Sequence, residues 1–195
     1  IPVHSGSVRF PMKFLAEIDG MPLFWHVFDS AKRSGVFDKL CLATDFDSRI
    51  FDRAVDLGVP VLKTGEHVCG TDRVYEASHY LHADFDDIVV NIQGDEPELD
   101  PDIFKELIKP FNNGAKVVTL GHRLTEAGYN GVRLTKYDDQ ALNFSRKVIS
   151  DIGHIGVYAF RYSTLKQFYK LGQGDLEQVE SLEQMRLMEA DIPIN

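Results

Sequence analysis

Ile88-Val89-Val90-Asn91-Ile92-Gln93-Gly94-Asp95-Glu96-Pro97 is the stretch that decides the fold. Its first five residues form an apolar run of strand length, as expected of a strand buried on both faces of a parallel sheet. Polar and acidic residues follow at once. Ligands of open α/β sheets bind at the carboxyl ends of strands, so a carboxylate here is placed to hold Mg²⁺ on a nucleotide phosphate. The same residues also read as a strand and a turn, with Asp95 and Glu96 merely preceding a helix from Pro101.

Outward from this stretch, aliphatic and β-branched segments alternate with segments of helical period. Strands are predicted at Lys39–Thr44, Pro60–Leu62, Lys116–Leu120, Gly131–Leu134 and Gly153–Phe160. Helices are predicted at Pro22–Ser34, Ser48–Leu57, Thr71–Leu81, Pro101–Phe111, Ser163–Lys170 and Leu176–Ala190, the last with Asp175 as its N-cap. The alternation is that of an α/β domain with a mostly parallel sheet. With no internal repeat or linker, residues 1–195 read as one domain in which roughly 120–165 form an irregular region beside the sheet.

Twenty-one basic against 30 acidic side chains leave a net charge of −9, which argues against a nucleic-acid partner. Two cysteines, Cys41 and Cys69, make neither a disulfide framework nor a four-ligand zinc site. No apolar run approaches the roughly 18 residues of a membrane span, and Ile1-Pro2-Val3-His4 lacks the features of a signal peptide. The expectation is a cytoplasmic protein with no membrane partner.

The opening segment, Ile1 to Lys13, joins small residues to Arg9 and Lys13. Small residues let backbone N–H groups approach a polyphosphate, and the two cations neutralise it. A solvated loop that happens to hold two cations is the competing reading, and the spacing is not that of a Walker A loop. Thr44-Asp45 and Gly70-Thr71-Asp72-Arg73 follow other strands or open a helix, where anions are favoured, although Thr71 also reads as a plain cap.

Taken in order, these pieces resemble the sugar-acid cytidylyltransferases, most closely those that activate 3-deoxy-manno-octulosonate (Kdo). The resemblance rests on Gly6-Ser7-x-Arg9-Phe10-Pro11-x-Lys13, Gly20-x-Pro22, Ala43-Thr44-Asp45, Gly70-Thr71-Asp72-Arg73, Asn91-x-Gln93-Gly94-Asp95-Glu96-Pro97, Phe144-Ser145-Arg146, His154-x-Gly156-x-Tyr158 and Leu182-Glu183-Gln184-x-Arg186. It implies a three-layer, Rossmann-like nucleotidyltransferase fold with a mixed, mostly parallel sheet, and a homodimer contact in the irregular region. It also implies transfer of CMP from CTP to Kdo for lipopolysaccharide biosynthesis. A cytidylyltransferase for amino-Kdo or a sialic acid, or a nucleotide-binding module without catalysis, stands as the alternative.

By position, the resemblance puts Pro2, His4, Ser7, Arg9, Lys13, Gly70 and Thr71 around the nucleotide, with Arg9 and Lys13 on the CTP phosphates. Asp95 becomes the Mg²⁺ ligand and, with Arg9 and Lys13, a catalytic residue. Gln93, Arg146, His154, Tyr158, Glu183 and Gln184 surround the sugar acid, with Arg146 facing its carboxylate. Read alone, His154 and Tyr158 suit core packing, Arg146 a surface cation, and Glu183-Gln184 the polar flank of a helix. The chain departs from the family in carrying His4 for an arginine, Cys69 for a serine and Arg133 for a lysine. It also stops before the family's C-terminal motif with a second magnesium-binding aspartate, and is short between Arg146 and His154, so parts of a longer polypeptide are expected to be omitted.

Overall fold

The computed structural model describes residues 1–6, 10–125, 128–147 and 150–195. The chain divides into two compact units, Ile1–Asp84 with Asn91–Glu106, and Phe85–Val90 with Leu107–Asn195. Its elements in order are β1 (Pro2–Val3), β2 (Glu17–Ile18), β3 (Met21–Pro22), α1 (Leu23–Ser34), β4 (Leu42–Thr44), α2 (Ser48–Asp56), β5 (Val61–Lys63), α3 (Gly70–Tyr80), β6 (Ile88–Ile92), α4 (Ile103–Ile108), β7 (Val117–Arg123), β8 (Arg133–Tyr137), β9 (Gln140–Ser145), β10 (Ile152–Arg161), α5 (Tyr162–Leu171), α6 (Asp175–Glu180) and α7 (Met185–Glu189).

In the first unit β1, β4 and β5 form a parallel sheet in that order, with Pro2 opposite Ala43 and Leu42 opposite Val61. Parallel strands need crossovers, and α1 and α2 lie in them along the chain. On α1 the buried residues Phe24, Val27, Phe28 and Ala31 recur at the spacing of one helical face. The helix ends where Gly35 adopts the left-handed conformation that a side chain would resist. Asp47 caps α2, its carboxylate accepting the Arg49 N–H.

The second unit holds a sheet ordered β6-β10-β8-β9, with β7 also pairing β10; the Ile88–Val90 half of β6 belongs to this unit. The β7–β10, β8–β10 and β8–β9 pairings are antiparallel. A bulge in β10 between Ile155 and Tyr158 shifts its register against β7. Among the described residues no helix is long and apolar enough to cross a membrane.

Several sequence expectations need correction. β6 is not buried on both faces: Ile88, its first residue, is 37% exposed, and burial is complete only at Asn91 and Ile92 near its end. β9 was not expected, although Asp138, at φ 49°, makes the turn that pairs it with β8. The helix expected over Leu176–Ala190 is broken into α6 and α7, with Ser181 left-handed at φ 52°. The break lets Arg186 reach Glu177 with Nε–Oε2 2.7 Å and Nη2–Oε1 2.9 Å, both side chains almost fully buried. In one straight helix residues nine apart would lie on opposite faces about 13–14 Å apart along the axis. Asp175 is the first residue of α6 rather than its cap; Gly174 holds that position, and the Glu189 carboxylate accepts the Leu176 N–H.

Candidate active site

In the first unit, the residues that follow β1, β4 and β6 meet the start of α3 at a cavity of about 540 Å³. Parallel pairing of β1 with β4 brings Ser5 beside Asp45, whose Oδ2 accepts the Ser5 N–H at 2.9 Å and the Ser5 hydroxyl at 3.0 Å. At Gly70 a Cβ would meet Gln93 Nε2 and Pro2 Cγ at 3.3 Å, so glycine lets helix, strand end and β1 close up. Pro2, His4, Lys13, Gly70, Gln93 and Asp95 all line this cavity. Thr71 does not: it is buried beneath, its hydroxyl accepting the Asn91 side-chain N–H at 2.9 Å. Ser7 and Arg9 lie outside the described residues.

An ion pair lies in the lining of the cavity. Lys13 Nζ lies 2.5 Å from Asp95 Oδ2, with the side chains 23% and 41% exposed, so both remain within reach of solvent or ligand. Arg73 is buried, its guanidinium donating to Thr64 Oγ1 and to the Gly65 carbonyl. Desolvation lowers its pKa, offset in part by Asp45 and Glu76. Burial, then the charges of Arg73 and Lys13, hold the His4 imidazole below its ordinary pKa, and it is neutral at pH 7. The positive end of α3 opens on the same space, a setting that favours anions.

The second unit carries the other candidates. His154 and Tyr158 lie on β10 on either side of the bulge, ring centroids 5.2 Å apart, and Phe144 of β9 meets the His154 ring edge-on at 5.1 Å. Burial drives the His154 pKa down to about 4. The Tyr158 phenol is buried with no hydrogen-bond partner among the described residues, and burial, then Glu183, push its pKa up. Such an orphan costs about 1–3 kcal/mol unless a ligand or water satisfies it. Gln184, buried, precedes α7, and Glu183 stands beside it, half-buried. Arg146 is exposed and donates to the Glu180 carbonyl at 3.1 Å.

A family model described as cytidylyltransferase matches residues 1–194. A relative from Nitratidesulfovibrio vulgaris, named 3-deoxy-manno-octulosonate cytidylyltransferase, is 45% identical over 213 residues that span all of this chain and 84% of its own. The chain belongs to the cytidylyltransferase family. A relative of the same name from Oleidesulfovibrio alaskensis is 43% identical, with 100% of this chain and 84% of its own covered. A solved structure of CMP:2-keto-3-deoxy-manno-octonic acid synthetase complexed with CTP superposes with a TM-score of 0.88 at 33% identity, covering 100% of this chain and 86% of that one. The nucleotidyltransferase fold implied by the ordered motifs is therefore borne out.

Several polar residues that line this cavity, Asp45, Arg73 and His67 among them, had no role assigned from sequence. Asp45 and Arg73 both fall inside quoted motifs, and Arg73, three residues after Gly70, shares the face of α3 that opens the helix. That i, i+3 relation was the available signal. His67, whose Nε2 meets the Glu76 carboxylate, also lines the cavity. No local pattern announces that pair, because residues nine apart meet through the turn before α3.

Proposed function

We propose that this protein transfers CMP from CTP to the anomeric hydroxyl of Kdo, giving CMP-Kdo and pyrophosphate. The observation that carries the reading is the 45% identity across the whole chain to a relative named for that reaction. The anomeric oxygen attacks the α-phosphorus in line; that O–P bond forms, the bond to the pyrophosphate oxygen breaks, and the hydroxyl proton is released. Phosphoryl-type transfer depends mainly on positioning and on charge set against the phosphate oxygens.

The first unit's cavity suits the nucleotide. Lys13 and the start of α3 supply positive charge, and Asp45 ties down the backbone at Ser5. His4, neutral, contributes shape and hydrogen bonding there instead of the charge an arginine would bring. By the family resemblance Pro2 and Gly70 border the nucleotide and Ser7 and Arg9 join them, while Thr71, buried beneath, supports the cavity floor through Asn91. Asp95 suits Mg²⁺: it is a hard carboxylate at a strand end, and its Oδ2 already sits against a cation, the Lys13 ammonium. Magnesium is usually held by one or two carboxylates together with substrate phosphates, and when bound it offsets the triphosphate charge.

For the sugar acid the resemblance favours Gln93, Arg146, His154, Tyr158, Glu183 and Gln184. The exposed Arg146 fork suits a carboxylate, and the unsatisfied Tyr158 hydroxyl suits a sugar hydroxyl. The same reading carries a homodimer, a cytoplasmic setting and a place in lipopolysaccharide biosynthesis.

The test is pyrophosphate release from CTP and Mg²⁺ with Kdo, amino-Kdo or N-acetylneuraminate as acceptor. Release with Kdo is the expected result. Release with another acceptor alone would move the specificity, and CTP binding without release from any would make the protein a nucleotide-binding module. Asp95→Asn is expected to abolish metal-dependent release while the circular dichroism spectrum stays native; unchanged release would remove Asp95 from the metal site.

A further inference from the structure

We propose that Thr119 is a positioning residue that locks His154 in the tautomer protonated at Nε2, so that Nδ1 is a hydrogen-bond acceptor and meets the sugar acid through a hydroxyl rather than through its carboxylate. The second half rests on the proposed function; the tautomer does not.

Counting protons fixes which group donates. Thr119 stands on β7 and His154 on β10. The bulge between Ile155 and Tyr158 turns the Val157 carbonyl to the Thr119 hydroxyl, which donates to it at 2.8 Å. A carbonyl oxygen can only accept, and a hydroxyl has one proton to give. The contact between Thr119 Oγ1 and His154 Nε2, at 3.0 Å, therefore has the ring as donor, and the proton is on Nε2. Burial holds the imidazole neutral at pH 7, so Nδ1 keeps its lone pair. Phe144, fully buried, packs edge-on at an interplanar angle of 82° and holds the ring plane. An acceptor at Nδ1 attracts an O–H group and repels a carboxylate oxygen. The carboxylate is thereby left to Arg146, whose guanidinium only donates.

The tautomer is read directly from the ¹⁵N shifts of His154 in a long-range ¹H–¹⁵N spectrum, with the signal assigned by its loss in His154→Gln. Wild type is expected to show protonated Nε2 and bare Nδ1. Thr119→Val, which leaves Nε2–H facing a methyl group, is expected to move the proton to Nδ1 and raise KM for Kdo about tenfold, the loss of one hydrogen bond, with KM for CTP unchanged. Thr119→Ser keeps the hydroxyl and is expected to restore both tautomer and KM. Protonated Nδ1 in wild type would overturn the assignment whether or not the protein turns over Kdo. A changed tautomer with an unchanged KM for Kdo would overturn the hydroxyl reading. Should Thr119→Val fail to fold, the wild-type spectrum and Thr119→Ser decide: loss of the Nε2 proton in the serine variant would refute the role of the hydroxyl.

Discussion

Gly94→Ala tests whether close packing behind the cavity positions Asp95. Gly94 separates Gln93 from Asp95, and an added Cβ would lie 2.6 Å from Val3 Cγ1 and 3.0 Å from both Phe14 Cε1 and the Pro2 carbonyl oxygen. Ordinary contact begins at 3.4 Å, so these neighbours must give way by about 0.4–0.8 Å. None yields easily. Val3 is β-branched and fully buried, Phe14 is buried, and Pro2 belongs to a strand paired with β4. Overpacking of this kind costs about 1–3 kcal/mol, and a misplacement of about 1 Å at a reacting centre costs roughly a hundredfold in rate. We expect urea unfolding, followed by the fluorescence of Trp25, the chain's one tryptophan, to show a loss within that range. Pyrophosphate release is expected to fall about tenfold, the share of a half-ångström shift. Stability within about 0.5 kcal/mol of wild type, with full turnover, would refute the packing argument. A loss of stability with normal turnover would show that Asp95 does not depend on it.

Glu177→Gln removes the carboxylate that meets the Arg186 guanidinium, which is buried against Phe168 4.1 Å from its ring centroid, and is expected to cost about 3–5 kcal/mol in the same unfolding assay. Replacing both partners, Glu177→Leu with Arg186→Met, is expected to recover most of that; a single variant as stable as wild type would show the pair contributes nothing. His154 has a folded pKa of about 4 against an ordinary 6.5, so its contribution to stability is complete above pH 6.5 and lost as pH falls toward 4. Between pH 7.5 and 4.5 wild type is therefore expected to lose about 2–3 kcal/mol more than His154→Gln, and equal losses would refute the burial argument. Arg146→Ala is expected to weaken Kdo binding by about 1.5–3 kcal/mol with CTP binding intact, measured by calorimetry; the reverse pattern would exchange the roles assigned to the two units.

Much of the local structure was legible in advance because it depends on neighbours in sequence. The apolar stripe of α1 is set by helical period and the start of α2 by the Asp47 cap, and α1, α2 and α3 each begin within about two residues of the expected place. Six of the residues assigned to nucleotide, sugar or metal converge on one cavity because the segments after β1 and β6 and the start of α3 share it. Thr71 sits beneath instead, since a residue one step into a helix turns away from the side its neighbour faces.

Sequence by itself determined the alternation of strands and helices through the first half of the chain, the net negative charge and the set of motifs that place this chain among the cytidylyltransferases. Tertiary structure decided what depends on partners far along the chain. The break at Ser181 follows from the burial of Arg186 against Glu177, which outweighs the helical preference of Leu176–Ala190. The proton on His154 follows from a hydroxyl 35 residues away and a bulge that aims a carbonyl at it. Helical period and capping act over a few residues and can be read one segment at a time, whereas register, burial and hydrogen-bond direction exist only once distant segments are in contact.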